Sequence, residues 1–392
     1  MMASTFLFCE SMSPERLRWC TESITSGVRI HAENQGTIKI FLTGDALFSL
    51  VDAQNRDSWN TLSALPSLLI IADGDELRLQ GLLDSVASGF PGVTIAGSDG
   101  RDPFWQSLVS TLVKEWNGTR KAAFLLCHSP YMSRIPVYML RFLSGTHSAG
   151  LHPELYTYLD GVHNVHNGQR PSEFENIGRG VAAIAGAAEQ SGRDPWFAAC
   201  SRCATARGYY QMNPGTGFCE PSSCIEDITI RPLKEILSRF SGNHPILSHM
   251  CGGIVAGEGI RESTVLPRLV IFITNPPYGT EWTFGGLSLA LAAAMDGMPT
   301  TVIFIEQGVY ALCGNHEIPQ NDKVFNVQEM IAATTDVPAL SYLVYAPSLE
   351  ERGIAVSEQF SKIRKVWNPE LSGILWGNDP DNAFSATRMI FF

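Results

Sequence analysis

Charge is scarce in this 392-residue chain: 17% of its residues are Asp, Glu, Lys or Arg, against 45% that are hydrophobic. That balance excludes a solvated, disordered polypeptide and supplies enough apolar material for sizeable cores. Positive charge is scarcer still, with 28 Lys and Arg against 39 Asp and Glu and a net charge of −11. No basic stripe interrupts the acidic background, so a nucleic-acid backbone is not the expected partner. Long apolar runs are missing too. The longest helical one, 284–295, is too short to span a bilayer, and the opening MMASTFLFCE has no basic stretch ahead of its apolar residues. A cytoplasmic protein with no membrane partner is the expectation. Nine cysteines, an odd number spread along the chain, do not make a disulfide framework; they suit a reducing compartment with reactive or metal-binding thiols.

What the sequence has is alternation. Short continuous apolar runs bounded by turn residues, each followed by a helical pattern, read as parallel strands covered on both faces. A first pass places strands at 5–9, 38–42, 68–72 and 93–96. A second begins at Lys121, with strands at 122–127, 155–159 and 196–200 and a last one at 225–230. A third follows a glycine-rich stretch, with strands at 269–274, 301–305, 340–345 and a short one at 374–376. Two loops match between the second and third passes: Ser129-Pro130-Tyr131 with Pro276-Pro277-Tyr278 after the first strand, and Asp160-Gly161-Val162 with Gln307-Gly308-Val309 after the second. Repetition at roughly 120 to 140 residues indicates tandem domains rather than one large sheet. The expected division is 1–118, 119–242, a glycine-containing connector at 243–265, and 266–392.

The segment with the most chemistry is WFAACSRCATARG, 196–208. The apolar run ends at Cys200 where a helix begins, so a thiol stands beside unpaired N–H groups, with Arg202 and Arg207 adding positive charge. Cys200 and Cys203 are therefore candidate thiolates, and the alternative is a pair of half-buried or metal-bound cysteines. Asp160, His163 and His166 lie in the loop after the preceding strand. Loops gather at the carboxyl ends of a parallel sheet, which would bring these residues near the thiols.

The SPY and PPYG loops, the DGV and QGVY loops, and a third strand closing on cysteine seven residues before Arg207-Gly208 resemble the DsrE/DsrF/TusD sulfur-relay family. The best single segment runs from Asn275 to Leu312. The resemblance implies three flavodoxin-like (DsrE-like) α/β domains fused in one chain, with Cys200 carrying sulfur as a persulfide and Cys203 as second carrier or resolving thiol. It also implies sulfurtransferase chemistry without an organic cofactor, donor and acceptor partner proteins, and a homodimer that mimics a hexamer of such domains. Seven residues before the matching glycine-preceding positions stand Asp73 and Tyr345, which cannot carry sulfur; those copies resemble the family's cysteine-free subunits.

A competing expectation uses the same thiols differently. Cys200, Cys203, Cys219 and Cys224 spell C-x2-C-x15-C-x4-C, near the spacing of a four-thiolate zinc or iron–sulfur site. CSRC at a helix start also suits a thioredoxin-like dithiol. Cys9 and Cys127 read as core residues, Cys313 as a weaker accessory thiol. The glycines around Cys251 match no phosphate-binding motif and read as a flexible linker.

Overall fold

The computed structural model describes residues 3–33, 36–97, 103–116, 118–242, 244–256, 267–376 and 386–392. Its strands, in chain order, are β1 (Ala3–Phe8), β2 (Thr37–Leu42), β3 (Leu68–Asp73), β4 (Val93–Ala96), β5 (Lys121–Leu126), β6 (His152–Thr157), β7 (Trp196–Cys200), β8 (Tyr210–Met212) and β9 (Cys219–Pro221). They continue with β10 (Thr229–Arg231), β11 (Ile246–Ser248), β12 (Met250–Ala256), β13 (Arg268–Ile273), β14 (Thr300–Phe304), β15 (Leu340–Tyr345), β16 (Arg364–Val366) and β17 (Ala386–Phe391). Helices connect most of them.

The strands form two large sheets and a hairpin. One sheet has the order β10-β7-β6-β5-β11 and is parallel throughout. Its central strands, KAAFLL and WFAAC, are buried along almost their whole length, as a sheet with helices on both faces requires. The other has ten strands, β16-β15-β14-β13-β17-β12-β1-β2-β3-β4. Each half is parallel, and β12 joins them by running antiparallel to both β1 and β17. The architecture is α/β, with parallel sheets flanked by helices.

This arrangement corrects three expectations. The first and third copies do not own separate sheets, because β12 covers the edge strand of each. An uncovered edge leaves a row of N–H and C=O groups unpaired. The stretch 243–265, expected as a connector, holds β11 and β12 among its described residues; Ile246 and Leu247 are buried beside β5. Finally, 374–376 is not a strand but the end of the helix Asn368–Trp376. Pro369 suits a first helical turn, the backbone N–H of Trp367 bonds to Glu370, and Leu371, Leu375 and Trp376 bury one face at helical spacing.

The repetition read from the loops is visible in the backbone. After the second strand of each run the chain enters a 3-10 turn through a residue of positive φ: Gly44 (57°), Leu159 (49°) and Glu306 (55°). After the third strand, Asp73, Cys200 and Tyr345 each stand in extended conformation at the start of a short helix. That helix ends, in all three, before a left-handed glycine: Gly81 (72°), Gly208 (79°) and Gly353 (61°). The left-handed conformation is nearly free for glycine and costs other residues about 1 kcal/mol, which explains the shared Gly.

Candidate functional site

Cys200 is the last residue of β7. Ala198 and Ala199 ahead of it are fully buried, and Cys200 itself is 1% exposed, facing Arg231 across the β10 pairing. The backbone then turns into the helix Ser201–Ala206, with Cys200 at its cap at φ −61°, ψ 120°. The helix closes through the N–H of Tyr209, which donates to the Ala204 carbonyl at 2.8 Å, so Gly208 fixes how far Arg207 reaches. Cys203 lies one turn on from Cys200 and is also buried.

The two thiols bear on each other's ionisation. The neighbouring Cys203 thiol, with lesser help from the Cys203 and Arg202 backbone N–H groups and the Arg202 charge, brings the Cys200 thiol down to about 7 against the opposing effect of burial. Cys203 is pushed up for the complementary reason, since ionising it would set a second anion beside the first. Of the two thiols, Cys200 is the one that ionises first.

Both sulfurs line a cleft of about 700 Å³. One wall is Tyr158, Leu159 and the Cys200 helix; the facing wall comes from the third run of the chain, with Phe284, Leu291 and Met295 on the helix Trp282–Met295 and Met330 on the helix Val327–Thr334. Two cations close its edges. The Arg202 guanidinium lies 5.0 Å from the centre of the Phe284 ring. Arg207 donates to Asp160 Oδ1 at 2.6 and 2.9 Å and reaches across to Glu281. The Tyr158 hydroxyl donates to the Gly285 carbonyl at 3.0 Å, a second tie between the two walls. The interior is therefore apolar with the Cys200 thiol at its base, suited to a small, soft, uncharged or weakly anionic group.

The structure brings together only part of the expected set. Cys200, Cys203, Arg202 and Arg207 line the cleft, and Asp160 acts on it only by holding Arg207. His163 and His166 do not line it. His163 pairs its Nδ1 with the Tyr209 hydroxyl at 3.0 Å, with Asp160 3.9 Å from Nε2, and burial lowers its pKa. His166 accepts the Gly168 N–H. The four-cysteine arrangement does not assemble either: among the described residues no three of Cys200, Cys203, Cys219 and Cys224 bring their sulfurs within 4.8 Å of one another. Cys219 is exposed on the β8–β9 hairpin, and Cys224 is bound to the Ser222 and Tyr209 carbonyls. The hairpin uses the x15 gap to carry Cys219 outward, so the spacing has a backbone explanation. Cys9 and Cys127 are core residues, and Cys313 donates to the Val309 carbonyl at 3.2 Å. The side chain of Cys251 lies outside the described residues.

Phe284, Glu281 and Tyr158 were not legible as site residues. Each matters through a contact with another run of the chain, and nothing within reach of Cys200 along the sequence points to them. Among the described residues no helix is long and apolar enough to cross a membrane.

No curated protein matches the chain. A solved structure, the YchN protein from E. coli, aligns over all of its own length and 32% of this chain at 19% identity with a TM-score of 0.27, a likeness that adds nothing to the fold described above. Residues 268–375, from the start of β13 to near the end of the helix Asn368–Trp376, match the model of the DsrE/DsrF-like family.

Proposed function

We propose that the chain is a sulfur carrier of the DsrE-like type, built from three such domains, in which Cys200 receives sulfane sulfur and passes it on. The family match over 268–375 supports a sulfur-relay role in general. The observation that carries the finer reading is the Cys200–Cys203 pair at the base of an apolar cleft, a buried thiol brought down to about 7 at the helix start after the third strand. The matching positions in the other two runs hold Asp73 and Tyr345.

The chemistry uses only thiols. The Cys200 thiolate attacks the outer sulfur of a donor persulfide, R–S–SH; the donor's S–S bond breaks as the new one forms, and R–S⁻ leaves and takes up the proton. The Cys200 persulfide then presents its outer sulfur to an acceptor thiolate, which displaces Cys200 as the leaving group. Its lowered pKa makes it a good one. Cys203 donates a hydrogen bond to whichever anion is present and steadies the intermediate. Donor and acceptor would be proteins that cover the cleft, with Arg202 and the Arg207 ion pairs at its rim. The compartment that suits such thiols is a reducing one, the cytoplasm.

The test is intact mass and peptide mapping of the full chain after incubation with inorganic polysulfide. The expected result is one added sulfur on the peptide holding Cys200, removed by dithiothreitol and absent in Cys200→Ser. A chain that gains no sulfur there, or gains it equally in Cys200→Ser, would falsify the proposal. The closeness of Cys200 and Cys203, one helical turn apart and lining the same cleft, also favours a second reading, a dithiol that cycles to a Cys200–Cys203 disulfide. In that case polysulfide treatment leaves a mass two hydrogens lower and no bound sulfur.

A further inference from the structure

A separate cavity of about 240 Å³ lies where strand ends from all three runs meet, and it shares no lining residue with the Cys200 cleft. Glu10 follows β1, His128 follows β5, Thr274 and Asn275 follow β13, and His249 follows β11. The first three of these strands are the opening strands of their runs. Carboxyl ends of parallel strands are where such folds place their ligands.

Glu10, His128 and His249 each offer a donor atom, and these lie within 4.8 Å of one another. Glu10 Oε1 is 2.7 Å from His128 Nε2, and Glu10 Oε2 is 3.9 Å from His249 Nε2. Donors at about 2.0–2.1 Å from a tetrahedral ion stand roughly 3.3–3.4 Å apart. The two spacings straddle that value, and side-chain movements of about half an ångström would reach it. The histidine rings are held edge to face with centroids 4.5 Å apart, and the Trp282 ring packs 5.0 and 5.2 Å from them. Phe391 and Phe392 add to the lining. The Nδ1 atoms of both histidines are buried with no hydrogen-bond partner among the described residues. Among those residues, the only side-chain polar contact of each imidazole is therefore the one that its Nε2 makes with Glu10. The nearby positive charge of Arg16 is taken up by Glu306, which it grips with two bonds of 2.8 Å.

We propose that Glu10, His128 and His249 bind one divalent first-row transition ion, zinc or iron(II), through two imidazole nitrogens and a carboxylate, leaving further coordination positions open to the cavity. Two nitrogens and one oxygen suit either ion, and a site with three protein ligands keeps room for water or a small anion. Thr274 and Asn275 line the cavity and are placed to orient such a ligand. Because Glu10, His128 and His249 come from distant parts of the chain, an ion there also pins the strand ends together.

The experiment uses the full chain, stripped with a chelator and titrated with zinc and, without oxygen, with iron(II), with bound metal counted by elemental analysis. One equivalent of either ion is expected. Affinity should fall on the order of 100-fold or more in His128→Ala and His249→Ala. Glu10→Gln, which keeps the side chain's shape, should also weaken binding and guards against variants that fail to fold. Replacing Cys200, Cys203, Cys219 and Cys224 together with serine should leave binding unchanged, and cobalt in the site should show no thiolate charge-transfer band. Absence of binding overturns the proposal, as does equal binding in the histidine and Glu10 variants or loss of binding in the four-serine chain. None of these results depends on whether Cys200 carries sulfur.

Discussion

The three helix starts that follow the third strands hold three different side chains, and the comparison shows what the Cys200 position is good for. At Asp73 a carboxylate oxygen accepts the backbone N–H groups of Asp75 and Glu76 at 3.1 and 3.3 Å, and the other oxygen takes the Thr43 hydroxyl at 2.8 Å. At Tyr345 the phenol reaches away to Asn368. At Cys200 the side chain makes no cap hydrogen bond, and the neighbouring Cys203 thiol is the largest cause of its lowered pKa. The prediction follows from that cause. Alkylation of Cys200 by iodoacetamide should rise about tenfold per pH unit below 7 and level off above it, since only the thiolate reacts. Cys203→Ala removes that thiol and should move the inflection back toward 9, the ordinary value. Peptide mapping is needed to separate the signal from exposed Cys219. An inflection that stays near 7 in Cys203→Ala would show that the pairing does not set the thiolate.

Among the elements, the turns after the second strands matter most, because they place Asp160 and Leu159 beside the Cys200 helix. Gly161 and Gly308 occupy the same place in two of them. A Cβ on Gly161 would stand 1.9 Å from the Leu126 carbonyl oxygen, and one on Gly308 1.8 Å from that of Ile273. Both obstacles are strand backbone and cannot give way cheaply. Gly161→Ala and Gly308→Ala should each cost about 2–3 kcal/mol, measured by denaturant unfolding. Gly186→Ala is the contrast: it lies inside the helix Ile177–Gln190 with nothing within 4 Å of the added carbon, and should be neutral or stabilising by about 0.5–1 kcal/mol. These turns were legible in the sequence because DGV and QGV repeat, and the third strand was legible because an apolar run ends at Cys200. The histidine loop was not. Proximity of loops at a sheet edge does not say which way a side chain turns, and Tyr209 holds His163 while the cleft is filled from the third run. The junction β12 was hidden for a similar reason, since MCGGIVA has the glycines of a linker and gains its strand character from two edges it cannot know locally.

At the scale of the molecule, polar clamps hold the three runs against one another. The ten-stranded sheet makes the first and third runs a continuous body, reinforced where Arg352 grips Glu15 and Arg16 grips Glu306. The second run has its own sheet, whose β11 passes into β12 of the ten-stranded sheet, and side chains add further ties. One buried polar tie is Glu76, a first-run carboxylate 1% exposed, which accepts from Arg134 at 2.7 and 3.2 Å, from Arg141 at 3.0 Å and from the Tyr138 hydroxyl at 3.0 Å, all three on or beside the helix Ile135–Ser148. Removing this carboxylate leaves the buried Tyr138 hydroxyl unpaired, while the two arginines, 46% and 37% exposed, recover water. The loss therefore falls below that of a fully buried pair, at about 2–3 kcal/mol for Glu76→Ala. Because the clamp joins bodies with separate sheets, its loss should also split the unfolding. Hydrogen exchange in Glu76→Ala should quicken in β5, β6 and β7 while β1, β2 and β13 keep their protection, whereas Arg352→Ala, whose clamp lies within the ten-stranded body, should leave β5 to β7 protected as before. Equal loosening of both sheets in Glu76→Ala would mean that the apolar packing between the bodies, and not this carboxylate, couples them.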